Sequence, residues 1–235
     1  MSTIVTDAVT ALSGNLALLP EGSGVVTIDG LTYPAADGSA SQLMQTNGSG
    51  VLSFVDAPAG GLEFVETIAA STSSTITFTH TVVAGYDYII TARDVNNSQD
   101  LATSTVTKIQ VATGGGPTFQ TADYTHQLAY AQGTTVAALR DMHTTGIVWS
   151  ADNPGGAGGV GELWSGEMTL FNPGANEITD GVGFWFGDRS NDLVSLSMCG
   201  GRSNVAEVVT ALRVLNGAGT ILTGQFTLFR RKTTA

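Results

Sequence analysis

The chain has 235 residues, of which 30 are glycine and 12% are charged, and 20 acids against nine Lys and Arg give it a formal charge of -11. That balance excludes a nucleic-acid surface, because phosphate contacts need clustered cations and the one cluster, Arg230-Arg231-Lys232, reads as a solvated terminus. A single cysteine, Cys199, excludes an intrachain disulfide framework. No run of about 18 apolar residues offers a membrane helix, and a chain rich in Gly, Thr, Ser and Val favours strands and tight turns.

Residues 1–30 hold short apolar pieces, Ile4-Val5, Leu18-Leu19 and Val25-Val26-Thr27-Ile28, between glycine turns. They read as an arm that becomes ordered against something else. No basic segment follows Met1, so no signal peptide is expected, and the protein is read as soluble and made in a cytoplasm. From Leu31 the texture tightens. Tyr33-Pro34 forces an extended backbone, and Ala35-Ala36-Asp37-Gly38 supplies a turn. The runs 42–45 and 51–55 then flank Thr46-Asn47-Gly48-Ser49-Gly50, which predicts a hairpin. An isolated hairpin is marginal in water, so this one needs partners. These are either the downstream domain or identical copies around a three-fold axis, in which Leu43, Met44, Leu52 and Phe54 meet their neighbours.

The stretch from Tyr33 to Phe54 resembles the "YP-x-x-DG-x-x-x-Q-x-L-x-TNGSG-x-L-x-F" segment of tailed-bacteriophage fibre proteins. That resemblance implies a short, usually trimeric β stem at residues 31–60. It also implies a virion-attachment arm at 1–30, docked on other virion proteins, and a distal head at 61–235.

Ala57-Pro58-Ala59-Gly60-Gly61 has linker composition and marks the boundary to that head. Beyond it, strands are predicted at 63–68, 75–82, 86–95, 103–111, 127–131, 146–149, 162–171, 182–186, 192–198, 207–215 and 221–229, many with period-two alternation. The fold class expected is all-β, with a head that is a β-sandwich of jelly-roll or galectin-like type. Residues 135–141 read as a short helical turn. Gly166-Glu167-Met168-Thr169-Leu170-Phe171-Asn172-Pro173, Gly200-Gly201-Arg202 and Gly224-Gln225-Phe226-Thr227-Leu228-Phe229-Arg230 are similar to heads that follow such stems and end in a G-x-F-T-L-(Y/F) strand.

Motifs for chemistry are weak. Gly156-Ala157-Gly158-Gly159-Val160-Gly161 fits G-x-G-x-x-G, but neither a preceding strand nor a following helix is predicted, and it reads as a loop. Asp94, Asn96, Ser98 and Asp100 are spaced like calcium ligands, yet the sharp-turn Gly and the bidentate Glu are missing, so they read as a polar turn. His80, His126 and His143 have no metal-like spacing. Glu162, Glu167, Glu177, Asp180 and Asp188 include no pair with a reason to be close, as glycoside hydrolysis requires.

Phe184-Trp185-Phe186 followed by Asp188, Arg189 and Asn191 sets a ring beside hydrogen-bonding side chains. Trp185, Asp188, Arg189 and Asn191 are therefore the candidate ligand-binding residues. The competing reading is that alternation turns one side of this strand to the core and the other to a neighbouring subunit. Trp149 and Trp164 read as core.

The expectation is a non-enzymatic virion protein with no cofactor and no metal site. It would be a homotrimeric tail fibre that meets a host-surface glycan or protein through its head, without membrane insertion. The alternative is a capsid decoration protein or head fibre anchored to the shell by residues 1–30.

Overall fold

The computed structural model describes residues 26–40, 42–56, 61–98, 106–114, 118–132, 134–150, 163–189, 193–217 and 219–233. Its contacts divide the chain into two compact units, Met1–Pro58 and Ala59–Ala235.

Among its described residues the first unit holds two antiparallel hairpins. The smaller pairs β1 (Thr27–Ile28) with β2 (Leu31–Thr32) through the turn Asp29-Gly30, both residues at positive φ. Two-residue turns of this kind match the twist of the strands they join, and Gly30 takes the left-handed backbone without a Cβ penalty. This hairpin runs across the expected division at residue 30. The larger one pairs β3 (Gln42–Thr46) with β4 (Leu52–Asp56). The amide of Thr32 donates to the Gly50 carbonyl at 2.7 Å, and a parallel bridge joins Thr32 to Val51, so the two hairpins are tied together.

The second unit is all-β among its described residues, in an arrangement compatible with a β-sandwich. Its eight-stranded sheet is built from β5 (Leu62–Ala69), β7 (Tyr86–Asn97), β10 (Tyr124–Gln132), β11 (Thr135–Thr144), β13 (Trp164–Phe171), β14 (Asp180–Arg189), β15 (Leu193–Ser203) and β17 (Ile221–Lys232). The spatial order is β11-β10-β15-β14-β13-β7-β17-β5, every pairing antiparallel. The five-stranded sheet runs β12-β8-β16-β6 with β9 on β8. Its members are β6 (Thr75–Thr77), β8 (Thr107–Thr113), β9 (Thr118–Phe119), β12 (Ile147–Val148) and β16 (Val209–Asn216).

One apolar cluster is drawn from both sheets. Ile90, Met168, Leu170, Phe226 and Leu228 come from the larger, and Ile76, Ile109, Val111, Leu212 and Val214 from the smaller. Alternation supplies it: every second residue of β13, from Trp164 to Leu170, is buried. Trp149 and Trp164 meet edge to face at 5.5 Å, and Trp164 and Phe226 at 6.3 Å, so both tryptophans lie in the core as expected.

One expectation is corrected. The helical turn expected at 135–141 lies within strand β11, because the backbone there pairs residue for residue with β10, and tertiary pairing overrides the helix preference of Ala, Leu and Arg. The basic C-terminal cluster ends strand β17, with Arg231 and Lys232 exposed as a solvated terminus would be. Arg230 binds Glu63 at 2.8 Å and lies 4.4 Å over the Tyr86 ring, while Arg231 binds the nearly buried Asp87 at 2.9 Å. The strand expected at 75–82 is shorter than its span, but the amides of Phe78 and Val82 still donate to the carbonyls of Leu212 and Thr210, which keeps that segment beside β16.

Candidate functional site

The stem hairpin is set by its turn chemistry. The Asn47 side-chain carbonyl accepts the amides of Ser49 at 2.8 Å and Val51 at 3.1 Å, and the Thr46 hydroxyl accepts that of Gly48 at 3.1 Å. Gly48 and Gly50 both have positive φ, where a side chain would be strained. At Gly50 a Cβ would also stand 2.8 Å from the Gly30 carbonyl oxygen. Thr46 and Asn47 of T-N-G-S-G therefore have a hydrogen-bonding task and its two glycines a conformational one.

The Asp-Gly turn upstream is fixed in a similar way. Asp37 accepts the Gly38 amide at 2.8 Å, and Gln42 accepts the Ser39 amide at 2.9 Å while donating to Asp56 at 3.0 Å. Gly38 lies against Phe54, since a Cβ there would approach the ring to 2.6 Å. The Gly of the motif thus seats its terminal Phe.

The register pairs Leu43 with Val55, Met44 with Phe54 and Thr46 with Leu52. Of the four expected interface residues, Met44, Leu52 and Phe54 therefore share one face of the ribbon, and Leu43 lies on the other. Leu43 is 53% exposed and Met44 48%, while Leu52 and Phe54 are partly covered. Two strands cannot bury both faces of their own ribbon, and this one leaves apolar side chains on each.

In the head, Trp185 is 1% exposed and faces the core, so it cannot serve as a stacking platform for a surface ligand. Its strand lies close against Gly166 of β13. A Cβ at Gly166 would lie 2.8 Å from that of Trp185 and 2.5 Å from the Phe184 carbonyl oxygen. That carbonyl accepts the Trp149 indole N–H at 3.1 Å, which anchors the inner side of β14. Phe184 and Phe186 lie on the side opposite Trp185, as alternation requires, and that side is the outer one. Asp188 and Arg189 occupy the end of β14 paired with Val194 and Leu193 of β15, and Asn191 lies outside the described residues.

The calcium-like spacing falls on a bulged part of β7. Asp94 has positive φ, and the Ser98 hydroxyl accepts the Thr220 amide at 2.8 Å, so that oxygen is already engaged; Asp100 lies outside the described residues. The segment 156–161 and Glu162 also lie outside them. Among the described residues no three His, Cys, Asp or Glu side chains gather to hold a metal. Cys199 is buried, and burial pushes its thiol up to about 12.

What the sequence reading missed is that β14 and β15, apart from Trp185 and Cys199, turn small residues inward. Gly181, Gly183, Gly187, Ser195 and Ser197 face inward, whereas Val182, Phe184, Phe186, Leu196 and Met198 face outward. The signal lay in V-G-F-W-F-G, where small and large residues alternate. Comparison with protein-family models, curated proteins and solved structures finds no match to this chain.

Proposed function

We propose that this chain is a non-enzymatic structural fibre protein of a tailed-bacteriophage virion, trimeric through residues 31–60, with a jelly-roll or galectin-like head that attaches to the host surface. The observation that carries the reading is the stem hairpin: the residues of the fibre-like motif are those that build its turns and seat Phe54, and Leu43 and Met44 lie open in a single chain. Three heads on one stem raise the effective concentration of weak sites, so adhesion needs no tight single contact. The polar end of the β14–β15 hairpin, with Asp188 and Arg189, is the part of the head proposed to meet a glycan or protein.

The test is adsorption competition with the purified full chain. Host cells preincubated with the protein should adsorb fewer phage, and Asp188→Ala with Arg189→Ala should relieve the block. No block by a folded trimer would reject host attachment and favour a capsid decoration protein held by residues 1–30.

A further inference from the structure

On β14 and β15 the inward side carries small residues apart from Trp185 and Cys199, while the other large apolar side chains face outward, and this arrangement is set by register. Cross-strand neighbours carry it across the sheet: Phe186 stands opposite Leu196, Phe184 opposite Met198, and Leu196 in turn opposite Ala131, which faces Val136 of β11. Val136 is 80% exposed and Met198 66%. With Val182, Phe184, Phe186 and Leu196 they form one continuous patch on the outer face of the large sheet. A one-residue slip would turn β14 and β15 over, but Trp185 and the close approach of Gly166 hold the register.

The six residues are each 43% to 80% exposed. A face with that much open apolar surface is on the scale of the largest patch of a typical monomer, about 300–600 Å², and can supply much of the ~800 Å² each partner contributes to a standard interface. Its shape is that of a broad sheet face rather than a cleft, which suits a protein surface better than a small ligand. The rim is polar and charged: Asp180 and Arg202, half exposed on the same face, bind each other at 2.9 Å, and Glu167 of β13 stands opposite Phe184. For a chain of charge -11, copies repel over most of their surface, and a patch with its own internal ion pair is where they can approach.

We propose that this outer face, centred on Phe184 and Met198, is a self-association surface covered by a neighbouring copy of the same chain. It is a second assembly element, independent of the stem hairpin, and holds the heads against one another.

The test is methionine oxidation by hydrogen peroxide on the native full chain, read residue by residue by peptide mass spectrometry beside the sedimentation mass. Met168, 0% exposed, is the buried reference; Met44 reports the stem; Met198 reports the face. In the oligomer, Met198 should oxidise roughly tenfold more slowly than a free thioether, approaching Met168. The pair Phe184→Glu and Phe186→Glu should restore Met198 to the open rate, with Met168 still protected as the sign of an intact fold. Met198 oxidised at the open rate in an oligomer with Met44 shielded overturns the proposal and leaves the stem reading standing. The converse, Met44 open and Met198 shielded in an oligomer, supports the face and removes the stem. A monomeric mass at all concentrations overturns it, as does a shielded Met198 in a monomer.

Discussion

The two sheets of the head present unlike outer faces. On the smaller sheet, Arg213 binds Gln110 at 2.7 Å and lies 4.1 Å over the Phe119 ring, while Lys108 donates to Thr145 at 3.0 Å. That face is finished within the chain, its polar groups engaged with one another. The larger sheet instead turns Phe184, Phe186, Leu196 and Met198 outward. Both faces obey the same strand alternation, so the difference is one of residue choice. A face built for water carries side chains that satisfy one another at its surface, whereas a face built for a partner leaves apolar area to be covered.

The comparison is broken hardest from within. Trp185→Ala should destabilise the head by about 3–5 kcal/mol, read by denaturant unfolding, because it empties a buried site. Phe184→Ala on the opposite side of the same strand should cost the dilute chain less than about 1 kcal/mol while lowering its assembly. Equal losses for the two would erase the distinction between inner and outer sides. Gly166→Ala should cost about 1–3 kcal/mol, since its Cβ would press on the Phe184 carbonyl and on Trp185.

In the stem, Leu52→Ala with Phe54→Ala should weaken the trimer by roughly 2–5 kcal/mol per side chain buried in the assembly. Unchanged melting of the trimer would count against burial at a shared axis.

Smaller effects sharpen the contrast between built-in and surface charge. Arg231→Ala leaves the nearly buried Asp87 without its cation and should cost about 1–2 kcal/mol. Arg202→Ala breaks a half-exposed pair and should cost a monomer less than about 1 kcal/mol.

The smallest expected effect is with pH. Burial, and then the nearby Arg230 charge, lower the His80 pKa from its ordinary value of 6.5 against an opposing pull from Glu66. The unfolded chain therefore takes up this proton first. The stability His80 contributes is complete above 6.5 and is lost as pH falls below it toward the folded value. His80→Gln should flatten that part of the melting profile. Burial likewise holds the Cys199 thiol near about 12, so a thiol reagent at mildly alkaline pH should label it only on unfolding.

Much of this was legible in the chain. T-N-G-S-G specifies its own turn through Asn47 and two glycines, and such local chemistry survives any tertiary context. Period-two alternation placed most strands and turned Trp185 away from Phe184 and Phe186. It could not say which side was inside, because alternation fixes a difference of faces and not its sign. Residues 135–141 misled for a related reason: an Ala-Ala-Leu-Arg run favours a helix until a neighbouring strand claims its backbone.

The sequence by itself determined the turns, the period of the strands and the scarcity of positive charge, since each rests on residues close together in the chain. Tertiary structure alone decided that Trp185 fills the core, that Arg230 and Arg231 are held at Glu63 and Asp87, and that Phe184 and Met198 stand side by side on an open face. Those facts depend on which strands become neighbours, and pairing between distant segments is set by the packing of the whole core.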